Sequence, residues 1–181
     1  MLTTTPIEER LRPALPGLLL AVVTLLFGFG FGIVFGLNED LIRSRLAAAA
    51  AEVHQPVYHG DAAAAKPVLE KSWTYMQRAH LHAGALGTSA IGLILVLVLL
   101  GTGPTLTRII GIALGVGSLG YSVFWLWAGF RAPGLGGTGA AKESLSWLAM
   151  PSSGAVVLAT AAVAVLCAAA LVRSRAPAAA S

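Results

Sequence analysis

Residues 72–101 read SWTYMQRAHLHAGALGTSAIGLILVLVLLG. The stretch opens polar and aromatic, passes Arg78 and the pair His80 and His82, and then runs apolar to Leu100. About 20 apolar residues in a helix cover a hydrocarbon core roughly 30 Å thick. The stretch therefore reads as one helix that starts outside a membrane, crosses it and ends at Gly101. Its two histidines fall where lipid meets water. Ionisable groups at that depth are costly unless they are paired, ligated or turned to water, so any chemistry is expected here.

Composition points the same way. Of the 181 residues, 56% are hydrophobic and 11% are charged, whereas a soluble domain carries roughly 25% charged residues. With a mean hydropathy of +0.79, the chain reads as an all-α integral membrane protein. The expected architecture is a four-helix bundle in the lipid bilayer with a small helical cap outside the cytoplasm. The net charge of +4 comes from cations that flank apolar spans. They form no basic stripe, which excludes nucleic acid as a partner. Cys167 stands alone in an apolar run, and a single cysteine does not identify a redox compartment.

Outward from the central stretch, the other spans follow. Residues 1–14 are a polar N-terminal segment with Arg10 and Arg12 beside the first span, 15–37. That run is too long for a signal-peptide core and is not followed by a small-residue cleavage site, so it reads as a retained helix. Gly28, Gly32 and Gly36 recur at every fourth position, with Gly30 nearby. Such spacing lets another helix approach closely, either within the protomer or across a homo-oligomer. Residues 38–78 form the hydrophilic outer segment. An alanine-rich helix is expected over 41–53, with a break around His54, Pro56, His59, Gly60 and Asp61. Pro67 is placed as the first residue of a new helix of about 33 residues, roughly 50 Å long, that runs into the second span, 79–101.

Gly101 to Pro104 form a turn into the third span, 109–130, which ends in Tyr121, Phe124, Trp125 and Trp127. Trp and Tyr favour the membrane–water interface. A glycine-rich loop, 131–144, leads to the fourth span, 145–172, where Met150-Pro151 would kink the helix and Ser152 and Ser153 would satisfy the freed backbone groups. Residues 173–181 are the tail. Arg10, Arg12, Arg108, Arg173 and Arg175 lie on one side, while the cations opposite are balanced by acids. The positive-inside rule then puts both termini in the cytoplasm and all four histidines on the outer face of a bacterial plasma membrane.

Residues two apart on a helix point about 160° apart, so His80 and His82 face different neighbours. His80 shares a stripe with Trp73, Met76, Gly84, Gly87 and Thr88, which marks it for the bundle interior. His82 shares its face with Tyr75, Arg78, Leu86 and Ser89. His80 reads either as a buried histidine bonded to a hydroxyl or carboxylate, as a haem or metal ligand, or as a proton-relay group. Glu143 is the candidate acceptor for its second nitrogen. A cofactor site would draw on His80, His82, Arg78 and Glu143, and a metal site on His80, His54, His59 and Met150. Snorkelling charges at helix ends are the plainer reading of Arg78, Arg131, Lys142 and Glu143.

The segment from Ala79 to His82, followed by small residues and Gly87, resembles the H-x-H helix of the haem–copper oxidase catalytic subunit. That resemblance implies haem ligation by histidines on opposite helix faces. R-A-H-L-H-A-G-A-L-G at 78–87 and K-E-S-L-S-W at 142–147 are similar to small bacterial four-span membrane proteins of unassigned function, which implies a fold and a membrane but no activity. Signatures such as H-E-x-x-H, G-x-x-x-x-G-K, G-x-S-x-G and C-x-x-C are absent. The expected function is thus a non-enzymatic membrane protein with a polar histidine site at its outer face, which binds haem, a transition metal or a partner subunit. Trp125 is a further contributor to that site. The alternatives are a structural or assembly subunit without cofactor, and a small transporter or channel.

Overall fold

A computed structural model describes residues 6–175; residues 1–5 of the N-terminal segment and 176–181 of the tail lie outside the described part. The elements in order are α1 (Ile7–Leu11), a 3-10 turn (Arg12–Ala14), α2 (Leu15–Glu52), α3 (His54–Tyr58), α4 (Ala62–Leu99), α5 (Pro104–Arg131), α6 (Thr138–Glu143) and α7 (Ser146–Arg175). Helices α2, α4, α5 and α7 are long and apolar enough to cross a membrane. The protein is an all-α, multi-pass membrane protein. One end carries α1, the α4–α5 turn and the end of α7, and is called the terminal end below. The other carries α3, α6 and the extensions of α2 and α4, and is called the cap end.

Helix α2 does not stop where its apolar run does. Asn38 leaves helical geometry (φ −133°, ψ 29°) and the helix resumes to Glu52. Asparagine competes with the helix through its own side-chain amide, which makes it a natural point for such a break. Beyond it, Ile42, Leu46 and Ala50 recur at every fourth position and are buried. Ile42 and Leu46 join Phe35, Trp73 and Met76 in one apolar cluster between α2 and α4.

Helix α4 starts earlier than Pro67. It begins at Ala62, where the Asp61 carboxylate accepts the N–H of Ala63 at 2.8 Å, and it is 38 residues long rather than about 33. An aspartate cap followed by four alanines nucleates the helix before the proline is reached. In the glycine-rich stretch after α5, expected as a loop, residues 138–143 form the short helix α6. Tyr58 ties the cap together: its hydroxyl donates to the Pro133 carbonyl at 2.7 Å, and burial raises its pKa above the ordinary 10.0.

Glycine seams set how closely the spans approach. A Cβ added at Gly17 would run into the Gly111 backbone, and one at Gly115 would lie 3.0 Å from the Gly17 carbonyl. Helices α2 and α5 therefore cross backbone to backbone. Gly28 and Gly87 bring α2 against α4, Gly129 brings α5 against α4, and Gly117 and Gly120 bring α5 against Ser152 and Val156 of α7. Gly30 and Gly36 face open space, so the tandem glycine face of span one packs through Gly28 and Gly32 alone. Helix α5 is the hub. Helix α7 packs on α5 and barely touches α4, with only 11% of its most apolar window buried against 44% for α5. Pro151 is accommodated inside α7, and Ser153 donates its hydroxyl to the Ala149 carbonyl at 2.8 Å.

Candidate functional site

Counting about 20 residues back from Leu99 places the start of the membrane crossing near His80. The cap-end interface is therefore where α4 shows its polar groups, and it shows them on two faces. His80 points at α2. Its Nδ1 lies 2.7 Å from the Gly28 carbonyl oxygen. A carbonyl only accepts, so Nδ1 donates to it. The ring fills the space a side chain at Gly32 would take: a Cβ there would sit 2.7 Å from the ring's Cε1. Phe27, Phe31, Phe35 and Trp73 form an aromatic ladder along the same seam. Above it Arg43 lies 4.5 Å from the Trp73 ring centroid and is paired with Glu39 at 2.6 Å.

The other face meets α5. His82 bonds through Nδ1 to the Arg78 carbonyl one turn back, at 2.7 Å. Its ring stacks on Trp125, with centroids 5.6 Å apart and planes at 20°, and meets Tyr121 edge-on at 5.3 Å. The Arg78 guanidinium lies 5.1 Å from the Trp125 ring and 5.3 Å from Tyr75. A cation over aromatic faces gains roughly 0.5–2 kcal/mol. Among the described residues, Arg43–Glu39 is the ion pair formed, so Arg78 has no carboxylate beside it. The buried Trp125 indole N–H has no acceptor among the described residues. An orphaned buried donor costs about 1–3 kcal/mol.

The residues named from sequence divide accordingly. Arg78, His82 and Trp125 come together, joined by Tyr75 and Tyr121, which the sequence places only on a helix face and in an aromatic belt. His80 stands apart, and its acceptor is Gly28 rather than Glu143. Glu143 is exposed at the end of α6 and pairs with neither His80 nor Arg78. His54 opens α3, His59 closes it in the left-handed region (φ 52°), and Met150 is 73% exposed on α7. Among the described residues, no three His, Cys, Asp or Glu side chains gather closely enough to hold a metal ion. His54, His59 and His80 thus form no shared ligand set. Both α4 histidines hold one ring nitrogen on a carbonyl, as ligand histidines do, but neither belongs to a three-residue ligand set among the described residues. A two-histidine haem does not fit these residues.

Below the Arg78 cluster a groove opens between α4 and α7. One cavity of about 470 Å³ is lined by Leu86, Ser89 and Leu93 of α4, Leu114 and Ser118 of α5, and Val156 of α7, among others. A second, of about 200 Å³, shares Leu86 and Val156 with it and reaches Tyr121. The groove exists because α7 leans on α5 and leaves α4 uncovered.

Comparisons with protein-family models, with curated proteins and with solved structures give no match to this chain.

Proposed function

We propose that this is a non-enzymatic membrane protein that recognises an anionic ligand at the outer membrane face, through Arg78, His82, Tyr121 and Trp125. The observation that carries this reading is a pair of unmet needs at one place. The Arg78 cation lacks a carboxylate and the Trp125 N–H lacks an acceptor among the described residues, while the cation that packs against the other face of α4, Arg43 of α2, has Glu39. An oxygen-rich anion answers the first at the exposed Arg78 head, and the second, a buried N–H, once the side chains over it turn aside. Charge-assisted hydrogen bonds of this kind are roughly twice as strong as neutral ones.

Trp125 supplies the test. Titrating the purified protein with inorganic phosphate should quench or shift tryptophan emission. Arg78→Gln should weaken the response about 10-fold or more, a loss near 1.4 kcal/mol, and Trp125→Phe should remove it. A response that survives both substitutions places the binding elsewhere. An absorption spectrum with metal analysis, on protein taken from its native membrane, decides whether His80 also carries haem or a transition metal.

The cap end is assigned to the outside because the terminal end concentrates Arg10, Arg12, Arg108, Arg173 and Arg175 at span ends. A reporter active only outside the cytoplasm should work when fused after Asp61 and fail when fused after Ser181. The reverse pattern would invert the orientation.

A further inference from the structure

We propose that the anion is the headgroup of an acidic phospholipid, whose head sits on Arg78 and whose acyl chain descends the α4–α7 groove. This rests on the anion-binding reading above and names its ligand.

The geometry is continuous along single helix faces. Arg78, His82, Leu86, Ser89 and Leu93 are spaced at three and four residues, so they form one stripe of α4. Its top carries the cation, and its lower part lines the groove. On α5, Trp125, Tyr121, Ser118 and Leu114 form the matching stripe. Tyr121 belongs to both parts, since it touches His82 and also lines the smaller cavity. From Arg78 to Leu93 is 15 steps, roughly 22 Å along the helix. That equals about half a bilayer 40–45 Å thick with its headgroups, or one leaflet. A ligand that offers an anion at the interface and hydrocarbon below it matches both ends, and the groove opens sideways to where such molecules are. A soluble anion would leave the groove unused.

The groove adds little attraction, since lipid tails are as apolar as the side chains that line it. Its role is steric. It lets the chain lie against the protein while the head reaches Arg78, so a filled groove should push the head off its contacts. Gly92 allows that test. It lines the larger cavity, and a Cβ there meets nothing within 4 Å, so a larger side chain fits without disturbing the helix contacts.

The full-length protein, purified in detergent and stripped of lipid, would be offered equal amounts of phosphatidylglycerol and phosphatidylcholine, with retained lipid counted by native mass spectrometry. The expected result is at least a ~5-fold preference for phosphatidylglycerol, lost in Arg78→Gln and reduced several-fold in Gly92→Leu. Equal retention of the two lipids overturns the proposal. So does a preference that Gly92→Leu leaves intact, because the chain then lies elsewhere. Glycerol phosphate, the head without chains, separates this inference from the reading beneath it. If it quenches Trp125 and displaces phosphatidylglycerol at equal concentration, the anion site stands and the lipid assignment fails. If neither compound binds, both fail.

Discussion

Gly17→Ala is expected to lower the thermal midpoint of the detergent-solubilised protein more than an added methyl at most other glycines. The new Cβ would meet backbone, not a side chain that can turn away: its three nearest atoms are all main-chain atoms of Gly111. Helix α2 would have to lift off α5, opening the crossing that also seats Gly115 on Leu20. Overpacking typically costs 1–3 kcal/mol, occasionally more, and here two rigid helices must move together. Gly30→Ala is the control. Nothing lies within 4 Å of a Cβ there, and alanine gains up to about 1 kcal/mol in helix propensity. Size-exclusion profiles after stepwise heating would compare the two. Equal midpoints would mean that α2 and α5 do not cross at Gly17.

The second large effect is expected at Gly32. Leucine there should cut the yield of folded protein several-fold, because its first carbon would land on the His80 ring. The ring has little freedom to yield while Nδ1–H is held by the Gly28 carbonyl. Displacing it would cost that bond and leave a polar ring in the seam, about 1–3 kcal/mol. Even Gly32→Ala should be felt, and His80→Ala in the same chain should recover part of the loss, with a coupling of roughly 0.5–3 kcal/mol. Gly36→Leu should be tolerated, since that position faces open space. If Gly36→Leu proves as damaging as Gly32→Leu, then α2 is rotated relative to the described packing. If His80→Ala gives no recovery, the clash lies with another group.

What the sequence could reveal here depended on how local each signal was. Four apolar runs of crossing length need no knowledge of neighbours, and four helices of that kind are present. The divergence of His80 and His82 also follows from helix periodicity alone, and their rings do meet different helices. The start of α4 was a contest between two local signals. Pro67 favours a first turn, but Asp61 followed by Ala62 to Ala65 is the stronger start, and it lies further upstream. Gly17 had no glycine four residues away to draw attention to it; its importance comes from Gly111 on another helix. Side-chain hydroxyls and carboxylates are the acceptors that the sequence offers His80. Gly28 serves instead because a residue without a Cβ leaves its carbonyl open to an approaching ring, a contact that depends on helix pairing. The unmet needs of Arg78 and Trp125 were likewise hidden, since a missing partner is visible only once the neighbours are placed.

The off-centre seat of α7 has a consequence for how the protein is made. Membrane chains emerge in order from the N-terminus, and parts made first can associate before the rest appear. Helices α2, α4 and α5 hold the glycine seams of the centre among themselves, and they precede α7 in the chain. The trio can therefore assemble while α7 is still being synthesised, without leaving a gap for it to fill. Helix α7 then needs only one face of α5, at Gly117 and Gly120, to dock. The α4–α7 groove thus takes shape only once α7 has docked, with its side still open to the bilayer.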